Sequence, residues 1–430
     1  MYMRWQRIIR GKKREIYAVF LGQGLTAVGA FFGIRLMTEY LSPQVFGQYK
    51  LLLSLISLLT GLMARPFLQY VMRAYHDSSV EEGRLDFTNA ARSIFVKYVV
   101  VLGLAFSVVL TLWESSDRIT TIDVLLISIL FVVQALLEFE RSCAITRNEQ
   151  IAAGIMGTSR SWLVPLGIVI SSLYMESITF LLVANTLVLS VLYGYTLFWL
   201  SKKQSQLTYI GALVEKTRLE ISPAFKFGWP LVIVGLLSWI VHESDRFFLN
   251  YFLSDHAVGI YSAAYGLVAS PFTMCVGMAA QLLYPIVFKA AGEGDTVKEQ
   301  FLLRAMLALS SAFCAIGVVF IWIFGPQIAQ LALGVEYREE ALDLFVWLAA
   351  GYGLLGVAMS FDLSAYGANK TKRIMFSYLL SALLNVSLNF HLIPLYGAKG
   401  AAVATMFALL FYLAAMAYFH WKPQFINSKQ

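Results

Sequence analysis

Twelve apolar stretches of roughly 20 residues, parted by short polar breaks, run the whole length of the chain. They cover 16–38, 51–72, 94–113, 122–139, 151–173 and 178–200, then 227–249, 258–288, 301–324, 342–363, 374–393 and 400–419. Each can cross a hydrocarbon layer of about 30 Å at 1.5 Å per residue. Lipid offers no partner to a backbone N–H or C=O, so only a helix or a closed barrel can span it, and segments of this length are helices. Composition agrees: 59% of residues are hydrophobic and 14% charged, against about a quarter charged in soluble domains. The fold expected is all-α, a polytopic membrane protein of twelve transmembrane helices. The stretch 258–288 is long for one straight span and is expected to tilt or to turn near Pro271 or Pro285.

Basic residues orient the spans. Twelve spans put both termini on one side. Placing that side in the cytoplasm leaves only Arg118, Arg338 and Lys399 in outside loops, while the Arg4–Arg14 cluster and Lys202, Lys203, Lys216, Arg218 and Lys226 lie inside. The net charge of +7 is thereby a topology signal and points to no nucleic acid. The first apolar stretch is a full span without a small-residue cleavage site, so no cleaved leader is expected. Cys143, Cys275 and Cys314 have no paired spacing and suggest neither a disulfide nor a metal site.

One polar break occurs twice. "LSPQVFGQY" (41–49) follows the first span and "LSDHAVGIY" (253–261) the seventh, 212 residues apart. Asn148 before span five and Asn369 before span eleven form a second pair. Six spans per half is an even number, so the halves share one orientation and are related by a pseudo-two-fold axis along the membrane normal. The expected organisation is a six-helix lobe at 1–200, a cytoplasmic linker at 201–224, a second six-helix lobe at 225–420 and a cytoplasmic tail at 421–430. Within the motif, Ser42 and Ser254 suit helix N-caps, and Pro43 and Asp255 suit the first helical turn. Gly47 and Gly259 permit close backbone approach, and Tyr49 and Tyr261 fit the headgroup zone.

The residues that carry a resemblance are this repeat, the twelve-span plan, and "LNVSLNFHLIPLYGAKGAAVATMFALL" (384–410), where an Asn-bearing span ends in Ile-Pro and resumes after a Gly-rich turn. In these the chain resembles the polysaccharide-transport branch of the multidrug/oligosaccharidyl-lipid/polysaccharide exporter superfamily, the group that contains O-antigen flippases. The resemblance implies two lobes around a central cavity that opens alternately to each side of a bacterial cytoplasmic membrane. It implies a cargo of oligosaccharide on polyprenyl pyrophosphate, turned from inner to outer leaflet for cell-surface polysaccharide synthesis. It implies membrane lipids and other polysaccharide-assembly membrane proteins as partners, and neither a cofactor nor a catalytic residue.

Charges inside spans carry the chemistry, since one at mid-membrane costs about 2.5–3.5 kcal/mol on insertion scales. Arg160 lies ten residues into span five, about 15 Å from its inner end. A guanidinium facing a polar cavity would hold a pyrophosphate through paired hydrogen bonds; the alternative is a salt bridge between helices. Arg65, before Pro66, and Arg35 and Arg246, near the outer ends of their spans, are further candidate cavity cations, each also able to reach an interface. In "VHESDRF", Glu243 and Arg246 are spaced for an ion pair, while Asp245 and Glu243 are candidates for a coupling proton or sodium ion. Asp362 near the inner end of span ten is another. Glu138 and Arg141 read as a simple i,i+3 pair, and Asn385 and Asn389 as polar contacts between helices. No nucleotide-binding loop occurs in the polar segments. A cation-coupled multidrug antiporter would prefer an acidic or apolar pocket, and a polysaccharide polymerase or ligase a large outside loop.

Overall fold

The computed structural model describes residues 2–75, 84–113, 120–147, 149–205, 221–292, 296–367 and 370–421, with side chains for 21–72, 75, 87–111, 120–147, 149–200, 232–274, 300–365 and 370–421. The Asn148/Asn369 pair, the middle of the expected linker and the tail beyond residue 421 lie outside the described residues. The described elements are helical throughout. They are α1 (Tyr2–Tyr40), α2 (Pro43–Leu59), α3 (Arg65–Ala74), α4 (Arg84–Trp113), α5 (Thr121–Thr146), α6 (Gln150–Ser172) and α7 (Ile178–Ser205). Then follow α8 (Ile221–Glu243), α9 (Asp245–Phe252), α10 (Asp255–Gly292), α11 (Thr296–Ala332), α12 (Arg338–Gly367) and α13 (Thr371–Trp421).

Span two is α2 and α3 joined by a π turn, Thr60–Ala64. Pro66 has no N–H and its ring crowds the carbonyl four residues back, so a wider turn just ahead relieves it. Span seven is α8 and α9, which meet at Ser244, where the backbone stays helical (φ −66°, ψ −24°). Spans eleven and twelve are the two limbs of α13, which bends at Gly397 (φ 61°), a left-handed conformation that glycine adopts without strain. Hydrogen bonds pair 381 with 408 and 385 with 405, so the limbs are antiparallel. The turn expected near Pro271 or Pro285 is absent: α10 is helical from end to end. Eight described helical tracts are long and apolar enough to cross a bilayer. In α11 the exposed residues include Leu309, Ile316, Phe320 and Trp322, an apolar surface that suits lipid. This is a multi-pass membrane protein.

The chain forms two compact units, one of residues 1–41 with 52–232 and the other of 42–51 with 233–430. In the first, α1 packs along α6 through small residues. A Cβ at Gly29 would lie 2.6 Å from the Ser161 hydroxyl and the Trp162 ring, and one at Gly33 would meet Pro165 at 2.6 Å. The backbones come close enough for Trp162 Nε1 to donate to Leu25 O (3.1 Å) and Thr158 Oγ1 to Gly22 O (3.2 Å). An aromatic column of Phe67, Phe95 and Phe139 fills the space between α3, α4 and α5, with ring centroids 5.1 and 5.0 Å apart. At its foot Arg92 donates two hydrogen bonds to the buried Glu140 carboxylate.

The second unit holds residues 42–49 and 253–261 of the repeated motif, packed on each other. A side chain at Gly47 would collide with the carbonyl of Asp255, and one at Gly259 with the carbonyl of Pro43. Both pairs are the same contact read from either side, since 255 and 259 are 43 and 47 advanced by 212. Such self-complementary contact is the mark of a two-fold axis. Ser42 and Ser254 occupy the positions just before α2 and α10, and Gln48 donates to the Asp255 carboxylate at 2.9 Å. Tyr49 and Tyr261 depart from expectation. Both are buried, and the Tyr261 hydroxyl donates to Asp245 rather than meeting headgroups.

Candidate functional site

The site in the first unit is a cavity of about 710 Å³ between the end of α5, the start of α6 and the end of α7. The α1 packing decides what enters it. Residues 154, 158, 161, 162 and 165 turn one face of α6 onto α1, which leaves Met156, Ser159 and Arg160 to line the cavity. Arg160 is half-buried there, about 15 Å along α6. Arg141 reaches the cavity from α5. Its Nη1 stands 3.8 Å from Glu138 and its Nε is buried without a hydrogen-bond partner. The guanidinium passes over Gly157, where a Cβ would lie 4.0 Å from Nε and Nη2. Two guanidinium groups thus line one space from neighbouring helices, one turn apart on α6 (Gly157 and Arg160). Glu138 and Glu149 also line it, the latter 3.7 Å from Arg147. Tyr195 and Trp199 on α7 complete the wall.

Arg141 is the residue that sequence reasoning missed. Its i,i+3 partner explained it locally, and the only hint of more was the glycine at 157, opposite in the fold and 16 residues away. Of the other candidate cations in this unit, neither lines the cavity. Arg35 pairs with Glu39 at 2.9 Å, and Arg65 is exposed at the start of α3.

The second unit handles charge differently. Successive residues point about 100° apart around a helix, so Asp245 and Arg246 meet different partners. Asp245 is buried and accepts hydrogen bonds from Thr405 Oγ1 (2.5 Å), Asn389 Nδ2 (2.7 Å) and the Tyr261 hydroxyl. Asn385 stands behind, accepting from Asn389 at 3.0 Å. The Asn389 Oδ1 is buried and has no partner. The groups that bond the carboxylate are two hydroxyls and an amide. Arg246 turns away to pair with Glu243, donates to Ser262 Oγ at 3.2 Å and lies 4.8 Å from the Tyr265 ring centre. His242 meets the Tyr352 hydroxyl at 3.2 Å. Asp362, also buried, accepts from the Tyr412 hydroxyl at 2.7 Å.

With this geometry in place, comparison with known proteins is informative. A family model described as "Polysaccharide biosynthesis protein" matches residues 36–342. The chain belongs to that family. No curated protein matches it. Among solved structures, this polysaccharide biosynthesis protein is similar to the inward closed conformation of the lipid II flippase MurJ, with a TM-score of 0.69, 13% identity, and coverage of 94% of this chain and 87% of that one. It is also similar to an inward-facing multidrug resistance MATE family transporter of the MOP superfamily, at TM-score 0.65 and 14% identity over 93% of this chain and 94% of that chain. A Vibrio cholerae MATE transporter, VcmN, matches at 0.62 and 14%, with 95% and 97% covered. At these identities the likeness is one of fold: the protein has the MOP-superfamily fold.

Proposed function

We propose that this family member is a flippase that moves a saccharide carried on a polyprenyl diphosphate from the inner to the outer leaflet of a bacterial cytoplasmic membrane by alternating access, both termini being cytoplasmic. The observation that carries the reading is the pair Arg160 and Arg141 in one cavity, together with the family. A diphosphate offers several anionic oxygens, and two guanidinium forks on adjacent helices match that pattern where a single cation would not. In the proposed topology the cavity lies in the cytoplasmic half of α5, α6 and α7, on the side where the cargo is loaded. The lipid tail stays in the bilayer while the saccharide crosses. Other membrane proteins of polysaccharide assembly would supply and receive it.

Asp245 is the coupling site in this reading. An orphaned carbonyl oxygen beside a buried carboxylate, with Thr405 and Tyr261 oxygens in reach, suits a proton or a sodium ion, since hard cations take oxygen ligands. Glu243 is committed to Arg246, which removes both from the first rank of candidates. A second reading, a cation-coupled drug antiporter, has the acids Glu138 and Glu149 of the cavity in its favour.

The test is flipping of a tagged polyprenyl-diphosphate saccharide in reconstituted vesicles, with and without Arg160→Ala. Activity in the unaltered protein that drops about 100-fold in the variant supports the reading, the scale being one or two charge-assisted hydrogen bonds. Exchange of cationic dyes with no movement of any lipid-linked saccharide would transfer the protein to the antiporters.

A further inference from the structure

The cavity has a second wall. Tyr195 and Trp199 are one turn apart on α7, about 6 Å along its axis, and both line the space that Arg141 and Arg160 enter from α5 and α6. They are open to contact, 62% and 38% exposed. Trp199 and Tyr195 each join a broad apolar face to one polar tip. Phe198, between them, is exposed on the same helix but does not line the cavity. The purely apolar ring therefore lies outside the lining, and the two amphipathic rings share the cavity wall with the arginines. Around them the lining supplies hydroxyl, amide and carboxylate groups from Thr196, Gln150 and Glu138. A binding space that is mostly apolar, with a few placed polar groups, fixes the orientation of its ligand.

Sugars present a C–H face on one side and hydroxyls at the rim, which is the chemistry this wall complements. We propose that Tyr195 and Trp199 form a stacking wall for the first sugar of the cargo, so that the cavity recognises the junction between diphosphate and saccharide rather than the diphosphate alone. This rests on the flippase reading. It adds a residue-level account of how a loaded lipid carrier is told from an empty one: Arg141 and Arg160 hold the feature that both share, and the α7 rings hold the feature that only the loaded carrier has. The competing role for the rings is membrane-interface anchoring, which aromatic residues commonly serve.

The full-length protein in nanodiscs is titrated with two probes, a short-chain polyprenyl diphosphate and the same lipid diphosphate carrying one N-acetylhexosamine. The expected preference for the sugar-bearing probe is about five- to tenfold, the scale of one aromatic contact. Tyr195→Leu with Trp199→Leu should reduce the preference to about one while leaving the bare diphosphate within about twofold. Tyr195→Phe and Trp199→Phe should retain it, and Arg160→Gln should weaken both probes alike. If the double leucine variant does not fold, Tyr195→Leu alone should halve the preference at least. The proposal is overturned if the leucine variants keep the preference, or if they weaken both probes equally, which is the anchoring outcome. Binding of the bare probe without discrimination in the unaltered protein sinks the stacking wall and leaves the flippase reading. Binding of neither probe sinks both.

Discussion

Two sites, one in each unit, hold charge in opposite ways. In the first, Arg141 and Arg160 line open space, one with a buried nitrogen that meets no partner and a glutamate only within 3.8 Å. In the second, Asp245 is sealed by three donors drawn from α10 and both limbs of α13. A charge that lines a cavity is within reach of a ligand as large as a headgroup, whereas a caged one can exchange nothing larger than a small cation. In the proposed function the first serves the cargo and the second an ion, and removal of charge should have different consequences in each. Loss of an open charge should cost function and little stability. Loss of a caged charge should cost both.

The largest effect expected is at the cage. Asp245→Ala strands the Tyr261, Thr405 and Asn389 donors in a dry interior. Each lost acceptor costs about 1–3 kcal/mol, and because the groups relax together we expect about 3–5 kcal/mol in all. Thermal unfolding in detergent would show it as a clear loss of stability, and flipping should no longer respond to an imposed proton or sodium gradient. Unchanged stability would mean that the cage is not closed in the working protein, and the contrast between the units would fail.

Arg160→Ala comes next and should show the reverse pattern. Flipping falls about 100-fold, the equivalent of about 2.7 kcal/mol, while the unfolding transition moves by less than that of Asp245→Ala. If stability falls as far as in the Asp245 variant, Arg160 belongs to a structural ion pair and the cavity loses its main cation.

How much of this was legible beforehand depends on how far apart the partners are in the chain. The spans follow from local periodicity and length, and the helices fall where hydropathy places them. The small-residue face of α1, Gly22, Gly29 and Gly33, has the same helical spacing. The cage was not legible. Asp245 meets Asn389 and Thr405 144 and 160 residues away, beyond the reach of any local spacing in "VHESDRF". Tyr261 was expected at an interface because amphipathic rings usually sit there; its partner Asp245, 16 residues earlier, draws it inward. Arg141 was hidden for the opposite reason, since a near neighbour of opposite charge gave a sufficient local account. The repeat announced its own symmetry, but that its two copies touch through Gly47 and Gly259 could be learned only from the fold.

The Glu243–Arg246 pair sharpens the comparison at an intermediate scale. It lies beside the cage but is only partly enclosed, with Glu243 at 23% exposure and Arg246 at 6%. Arg246→Leu leaves Glu243 without its partner, and restoring balance with Glu243→Leu should recover part of the loss. A double-mutant cycle on unfolding should give a coupling of about 1–3 kcal/mol. Coupling near zero in stability, with flipping reduced as severely as in Arg160→Ala, would make Arg246 a second cargo cation and extend the open type of site into the second unit.

The smallest effect is expected at Asp362, which separates burial from caging. Like Asp245 it is a buried acid on a transmembrane helix, but among the described residues its hydrogen bond comes from a single one, Tyr412. An asparagine there keeps an oxygen for the tyrosine hydroxyl and a similar volume. Asp362→Asn should change stability by about 1 kcal/mol or less and flipping by no more than about twofold, with the gradient response intact. The matched substitution, Asp245→Asn, should abolish that response, because the amide replaces one of the oxygens that would receive the cation. If the two asparagine variants instead lose the gradient response together, the ion moves between both acids, and the cage at Asp245 is one station on a longer path through the second unit.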